Sequence, residues 1–201
     1  MVEYKRKDRF YQKARAGGYR SRAYFKLAEL DLSYKILPKN QKPLKILDLG
    51  AWPGSWIEYL LSKVALNTLI MGVDLVRIDP FDDQRVKLFQ GDIADLLRDE
   101  SDLSRAIGKD FDLVLSDLSP KLTGIAEQDR TLAKELAESA GKIANRRLKA
   151  GGNFVCKLFK SEESAKLSKE FSKQYVKFFR AELESTRKTS NEFYFVGLGL
   201  K

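Results

Sequence analysis

Short apolar runs bounded by turn signals alternate with stretches of helical period along this chain. That is the pattern of an open parallel sheet with helices packed on its faces. KILDL from Lys45, LIMGVD from Leu69, VKLFQGD from Val86, FDLVLSDL from Phe111 and NFVCKLF from Asn153 each read as a buried strand. VKFFRAEL from Val176 and the stretch Glu192 to Leu200 read as two more. The polar turn STRKTSN between them predicts a hairpin, hence an antiparallel edge on an otherwise parallel sheet. Helical spacing predicts helices over Ser55 to Val64, Ile93 to Arg98, residues 128 to 149 and about Glu162 to Phe171, the third stopped by Gly151-Gly152. Ahead of the first strand, SRAYFKLAEL reads as a short amphipathic helix from Ser21 to Leu30, with Ser21 as a possible cap and Tyr24, Leu27 and Ala28 on its apolar face. Met1 to Gly18 is basic and turn-rich, without a sustained apolar period.

The loop after the first strand narrows what the sheet can hold. A dinucleotide fingerprint is G-x-G-x-x-G, whose second glycine lets the backbone approach a pyrophosphate. This chain has Gly50-Ala-Trp-Pro-Gly54, with Trp52 and Pro53 at the point of approach, so a pyrophosphate is a poor guest. S-adenosylmethionine carries no phosphate, and such a loop can wrap its amino-acid end. Asp74 closes the next strand, where a carboxylate can accept hydrogen bonds from both ribose hydroxyls of an adenosine. Asp92 is placed to accept from the adenine amino group. Pro120 stops the strand that begins at Phe111, so Asp117 projects at the same carboxyl edge. Each of these aspartates taken singly is also an ordinary turn or helix cap.

Composition removes several chemistries. The 201 residues are one domain's worth, and 43% hydrophobic with 32% charged is the make-up of an ordinary soluble globule. There is no histidine and one cysteine, which excludes a histidine base, a Ser-His-Asp triad, a Cys/His metal site and an internal disulfide. Proton transfer therefore falls to Asp, Glu, Lys or Tyr, and Cys156 reads as a core residue. No apolar run approaches the roughly 18 residues that span a bilayer, and MVEYKRKDRF lacks a signal-peptide core. The expected location is the cytoplasm, with no membrane partner.

The net charge of +9 is concentrated at one end: residues 1 to 42 hold 12 Lys+Arg against 4 Asp+Glu. This basic arm, interleaved with Tyr4, Phe10, Tyr11 and Tyr19, suits a polyanion with stackable bases, a solvated tail being the plainer alternative. Two lysines, one inside this stretch and one far from it, differ in setting from the rest. Lys26 lies away from the apolar face of its predicted helix, where a lysine is ordinarily solvated. Lys157 sits inside an apolar strand, where its charge is costly unless it is paired or snorkels out at an edge.

With the elements laid out, DLGAWPGSW, GVDL, QGD, the strand ending SDLSP, GGNFVCKLF and NEFYFVG, preceded by YRSRAYFKLAEL, resemble the FtsJ-like ribose 2'-O-methyltransferases over nearly the whole chain. The resemblance implies an α/β fold: a Rossmann-like seven-stranded sheet, mostly parallel with an antiparallel C-terminal strand, helices on both faces and S-adenosylmethionine at its carboxyl edge. It implies that Gly54 and Trp56 line the methionine end, Asp74 the ribose, Asp92 the adenine and Asp117 the region beside the sulfonium. The family's K-D-K-E tetrad falls on Lys26, Asp117, Lys157 and Glu192. One departure is visible: the family's loop often reads APGGW and this one reads WPGSW, with Ser55 at a helix start where a hydroxyl is welcome.

The division this implies is an RNA-binding arm and short helix over residues 1–42 and a methyltransferase domain over residues 43–201. The expected reaction is methylation of a ribose 2'-hydroxyl, of a uridine in large-subunit ribosomal RNA first of all. Lys157 would be the proton acceptor, or a charged stabiliser of the developing alkoxide, with Lys26 and Asp117 positioning and Glu192 supporting. The rivals are a transfer-RNA anticodon-loop methyltransferase, and a non-catalytic RNA-binding or ribosome assembly factor. A nicotinamide-dependent oxidoreductase is disfavoured by the missing third glycine. No metal is expected, and a monomer is the favoured state.

Overall fold

The computed structural model describes residues 8–38, 42–120, 123–187 and 190–201. Tyr4 and the rest of the first seven residues of the basic arm lie outside them. Five strands follow the apolar runs closely: β1 (Lys45–Leu49), β2 (Leu69–Asp74), β3 (Val86–Gln90), β4 (Phe111–Ser116) and β5 (Leu148–Phe159). The hairpin strands are β6 (Tyr175–Ala181) and β7 (Glu192–Leu200). All seven form one sheet in the order β3-β2-β1-β4-β5-β7-β6. β1 to β5 pair in parallel, and β7 inserts antiparallel between β5 and β6.

The order reverses at β1, which has β2 on one side and β4 on the other. At such a switch point the chain leaves neighbouring strands in opposite directions and opens a crevice at their carboxyl ends. Because Leu49 is in register with Ser116, the Gly50 loop and Asp117 emerge side by side.

Alternate strand residues face opposite sides, so each strand feeds two cores. Leu47, Val114, Phe154 and Cys156 pack under α5 (Ala126–Arg147) and α6 (Glu162–Ser172). Ile46, Leu113, Leu115 and Val155 pack under α2 (Ala23–Tyr34) and α3 (Ser55–Leu61). Leu27 and Leu30 of α2 are fully buried in that second core, so this helix belongs to the body of the fold.

Several boundaries differ from the sequence reading. The turn-rich stretch contains a helix, α1 (Arg9–Ala16), started by Asp8, whose Oδ1 accepts the Tyr11 N–H at 2.9 Å. It buries only Ala14, so no apolar stripe announces it. α2 begins at Ala23 and runs to Tyr34, beyond Leu30; Ser21 precedes it, its Oγ accepting the Ala23 N–H at 3.1 Å. α3 stops at Leu61, short of Val64. A further helix, α4 (Asp102–Ile107), is capped by Ser101, which accepts the Ser104 N–H at 3.0 Å.

The long helix α5 ends at Arg147, and the chain enters β5 at once. Gly151 and Gly152 therefore sit within β5, where the register against β4 slips between Phe111 and Leu113. Gly151 takes φ +79°, and a Cβ on Gly152 would lie 2.9 Å from Leu148 and 3.1 Å from the Phe111 carbonyl. These glycines make a bulge where a helix stop was expected. Arg147 is buried and donates to the carbonyls of Leu96 at 2.7 Å and Gly108 at 2.9 Å, which ties α4 and the 3₁₀ turn Ile93–Leu97 to α5.

Candidate active site

Four strand ends and one helix converge on the switch point. Lys157, inward on β5, donates to the Asp117 carbonyl at 2.7 Å and faces Asp117 Oδ1 at 3.3 Å. Its charge is thus neither unpaired nor at an edge, which resolves the anomaly of a lysine in an apolar strand. Lys26 is not solvated: its ammonium meets Glu192 Oε1 at 2.5 Å, and both side chains are nearly buried. Thr186 and Ser190 donate to the two Glu192 oxygens at 3.0 and 3.1 Å, so the hairpin turn fixes this carboxylate. Burial pushes the Asp117 carboxyl up, but the Lys157 and Lys26 cations and the hydrogen bonds from Tyr194 and Lys157 outweigh it, holding the group below its ordinary value. The tetrad is therefore two adjoining ion pairs, Lys157–Asp117 and Lys26–Glu192.

Beside them lies a cleft of about 620 Å³, lined by Gly50, Trp52, Asp74, Asp92 and Asp117 among others. Asp74 stands at its wall with Oδ2 accepting from Trp52 N at 2.9 Å and Oδ1 from Val76 N at 2.8 Å. Asp92 caps the 3₁₀ turn, its Oδ1 accepting from Ala94 N at 2.9 Å. Each carboxylate oxygen has a second lone pair, so both aspartates keep acceptor capacity toward the cleft. Trp52 is 56% exposed at the rim, whereas Trp56 is 3% exposed and donates its indole N–H to the Ala23 carbonyl at 2.9 Å.

The FtsJ-like methyltransferase family model matches residues 19–200. The chain is 40% identical over 195 residues to the ribosomal RNA large subunit methyltransferase E of Desulfatibacillum aliphaticivorans, covering 97% of this chain and 91% of that one. It is 37% identical to the Bdellovibrio bacteriovorus protein of the same name over the full length of both. The chain belongs to the FtsJ-like methyltransferase family. Among solved structures, a Plasmodium falciparum protein described as a ribosomal RNA methyltransferase superposes with a TM-score of 0.75 at 27% identity, covering 90% of this chain and 98% of that one. Aeropyrum pernix fibrillarin, crystallised with natively bound S-adenosyl-L-methionine, shares the fold at a TM-score of 0.59 and 16% identity, covering 88% and 76%.

This FtsJ-like enzyme is an S-adenosylmethionine-dependent methyltransferase, and one residue outside the expected set tests the fit of that cofactor. Asp48, at the end of β1, is 1% exposed, and neither carboxylate oxygen has a hydrogen-bond partner. Burial, then the neighbouring charges of Asp117 and Asp74, raise its carboxyl well above the ordinary value. It opens on a small recess shared with Ala23, Ser55, Trp56 and Asp117. An orphaned buried carboxylate calls for a cation. The ammonium of the cofactor's methionine part is one, so the donor set fits.

The glycine loop is held from outside the cleft. Arg20 donates to the carbonyls of Pro53 at 3.0 Å, Asp79 at 2.8 Å and Pro80 at 2.9 Å, and its guanidinium lies 3.7 Å from the Phe81 ring centroid. Gly54 has φ +104°, and a Cβ there would lie 2.8 Å from both Arg20 and Phe81. This glycine is thus demanded by the arginine clamp behind the loop. By sequence Arg20 is one more cation of the basic N-terminal stretch, and only its contacts reveal the clamp.

Proposed function

We propose that the protein methylates a ribose 2'-hydroxyl of large-subunit ribosomal RNA, a uridine being the target nucleotide. The relatives that support the substrate are named ribosomal RNA large subunit methyltransferase E and match almost end to end. The observation that carries the chemistry is the buried Lys157–Asp117 pair beside the cleft, adjoined by Lys26–Glu192. S-adenosylmethionine, when bound, supplies an electrophilic methyl on a sulfonium. Asp74, Asp92 and Asp117 of the cleft would hold it, with Trp56 bordering the recess at its methionine end, Gly54 shaping the loop from behind and Asp48 facing its ammonium.

The chain's own residues then have to place one hydroxyl and remove one proton. Lys157 Nζ, anchored by the carbonyl and carboxylate of Asp117, is the acceptor of the 2'-hydroxyl proton once it has given up a proton of its own, because only the neutral amine has a lone pair to receive it. Lys26, braced by Glu192, supplies a fixed positive charge where oxygen becomes negative. A 2'-hydroxyl target selects RNA over DNA. In this proposal the RNA-binding arm is the stretch before α2, with Arg9, Lys13 and Arg15 of α1 exposed on it, and the methyltransferase domain, expected from residue 43, takes in α2 as well because Leu27 and Leu30 are packed in its core. The reading also places a monomer in the cytoplasm. Among the described residues no helix is long and apolar enough to cross a membrane.

The test is transfer of a labelled methyl to unmodified ribosomal particles, free ribosomal RNA and transfer RNA in parallel, with products mapped to single nucleotides. The wild type is expected to label one ribose of the large-subunit RNA, and Lys157→Ala to lose at least ~10²-fold in rate, as removal of a general base does, with cofactor binding retained. Label in transfer RNA alone would overturn the substrate, and a fully active Lys157→Ala chain the role of the lysine.

A further inference from the structure

Tyr194 stands at the centre of the tetrad without belonging to it. It is fully buried on β7, directly across the ladder from Lys157. Its hydroxyl donates to Asp117 Oδ1 at 2.7 Å, the same oxygen that faces the Lys157 ammonium at 3.3 Å. The Lys26 ammonium lies 5.7 Å from its ring centroid, and the Trp56 ring 6.1 Å. One side chain thus touches or borders Asp117, Lys157, Lys26 and the wall of the recess under the glycine loop.

We propose that Tyr194 is a positioning residue for methyl transfer, its hydroxyl fixing Asp117 Oδ1 in the place from which that carboxylate anchors Lys157. The proposal rests on the methyl-transfer reading given above. A carboxylate at a strand end has two free torsions and swings unless both its charge and its direction are satisfied. Lys157 satisfies the charge, and the tyrosine hydroxyl, rigid on a packed ring, satisfies the direction. Burial, then the charges of Asp117 and Glu192, push the Tyr194 phenol well above its ordinary value, so it remains a donor throughout the working range.

The role predicts a shift with pH. Asp117 is faced by Lys157 and Cys156 from β5, Lys26 from α2, Tyr194 from β7 and Asp48 from β1. Of these, the tyrosine hydrogen bond is one of the contributions that keep the carboxyl ionised. Removing a hydrogen bond to the charged form raises a carboxyl's pKa. Activity that needs ionised Asp117 is then lost at a higher pH on acidification.

The experiment is Tyr194→Phe, which removes one oxygen and keeps the ring, assayed for methyl transfer to unmodified ribosomal particles across pH, with S-adenosylhomocysteine binding measured by calorimetry. The expected result is a kcat lower by about 10- to 100-fold, the worth of one hydrogen bond to a charged group. KM for the particles and S-adenosylhomocysteine affinity stay within about twofold, and the acid limb of the rate profile moves to higher pH. A variant with wild-type kcat and a superimposable profile overturns the proposal. So does one that loses S-adenosylhomocysteine binding in step with rate, because the tyrosine then merely supports the cleft. Should Tyr194→Phe fail to fold, 3,5-difluorotyrosine at position 194 decides: a stronger donor of nearly the same shape is expected to move the acid limb to lower pH, and an unmoved limb overturns the proposal. A wild type that transfers no methyl fails the functional reading instead, so the two failures are distinguishable.

Discussion

Asp48 shows how a single side chain can be costly to the fold and useful to the site. Its folded-state carboxyl lies above the unfolded value, so the folded chain holds a proton there that the unfolded chain has already lost. The sign follows from linkage: stability from this group is greatest below the unfolded carboxyl value and declines as pH rises toward the folded one. Asp48→Asn removes that penalty. It is expected to stabilise the cofactor-free protein by about 1–3 kcal/mol at neutral pH while weakening S-adenosylhomocysteine binding, as read by thermal melts and calorimetry. A variant that melts lower and binds as tightly as the wild type would refute both halves. Among single residues, Asp74, Asp92 and Asp117 were legible because a carboxylate at a strand end has a known place beside an adenosine. Asp48 was not, although a carboxylate in the apolar run KILDL is the same kind of anomaly as Lys157 in NFVCKLF. Its meaning depends on having no partner, and partners are set by packing that a one-dimensional pattern does not contain.

The elements legible from sequence were those with a strong apolar period: all seven strands were located, and β7 to its end residues. α1 and α4 escaped because they are held by caps and by polar ties rather than by an apolar face. The same kind of tie governs the β6–β7 turn. Glu29 of α2 accepts from Glu184 N at 2.7 Å, Ser185 N at 3.0 Å and Ser185 Oγ at 2.7 Å. Arg22 donates to the Ser185 carbonyl and pairs with Asp8, the cap of α1. Thr186 and Ser190 of this turn in turn hold Glu192 against Lys26. The turn is therefore an extension of the active site, and α2 sets its position. Glu29→Ala is expected to slow methyl transfer by about tenfold, the scale of a small misplacement of catalytic groups, with S-adenosylhomocysteine binding unchanged. Transfer at the wild-type rate would detach the turn from the chemistry.

At the scale of the whole molecule, charge and chemistry are separated along the chain. A balance of +8 out of the net +9 belongs to residues 1 to 42, whereas the cleft is walled by Asp74, Asp92 and Asp117. A cationic cofactor and a polyanionic substrate thus find fields of opposite sign on one protein. Deleting residues 1–18 is expected to weaken RNA binding and to flatten its dependence on salt, since fewer counterions are released, while S-adenosylhomocysteine affinity stays the same. Undiminished RNA affinity at every salt concentration would take the arm out of RNA recognition. The fold class was legible because the strand and helix periods agree over the whole length; the order β5-β7-β6 was less so, because a hairpin signal fixes which strands pair but not which of them enters the sheet. The placement of the two tryptophans has an optical consequence. Trp52 stands in water at the cleft rim and Trp56 is already dry. Ultraviolet emission from the intact chain therefore combines a red-lying component with a blue one, and S-adenosylhomocysteine entering the cleft is expected to alter the red component most, since Trp52 alone of the two loses water. The enzyme carries its own fluorescent gauge of cofactor occupancy, which Trp52→Phe would silence and no dye is needed to read.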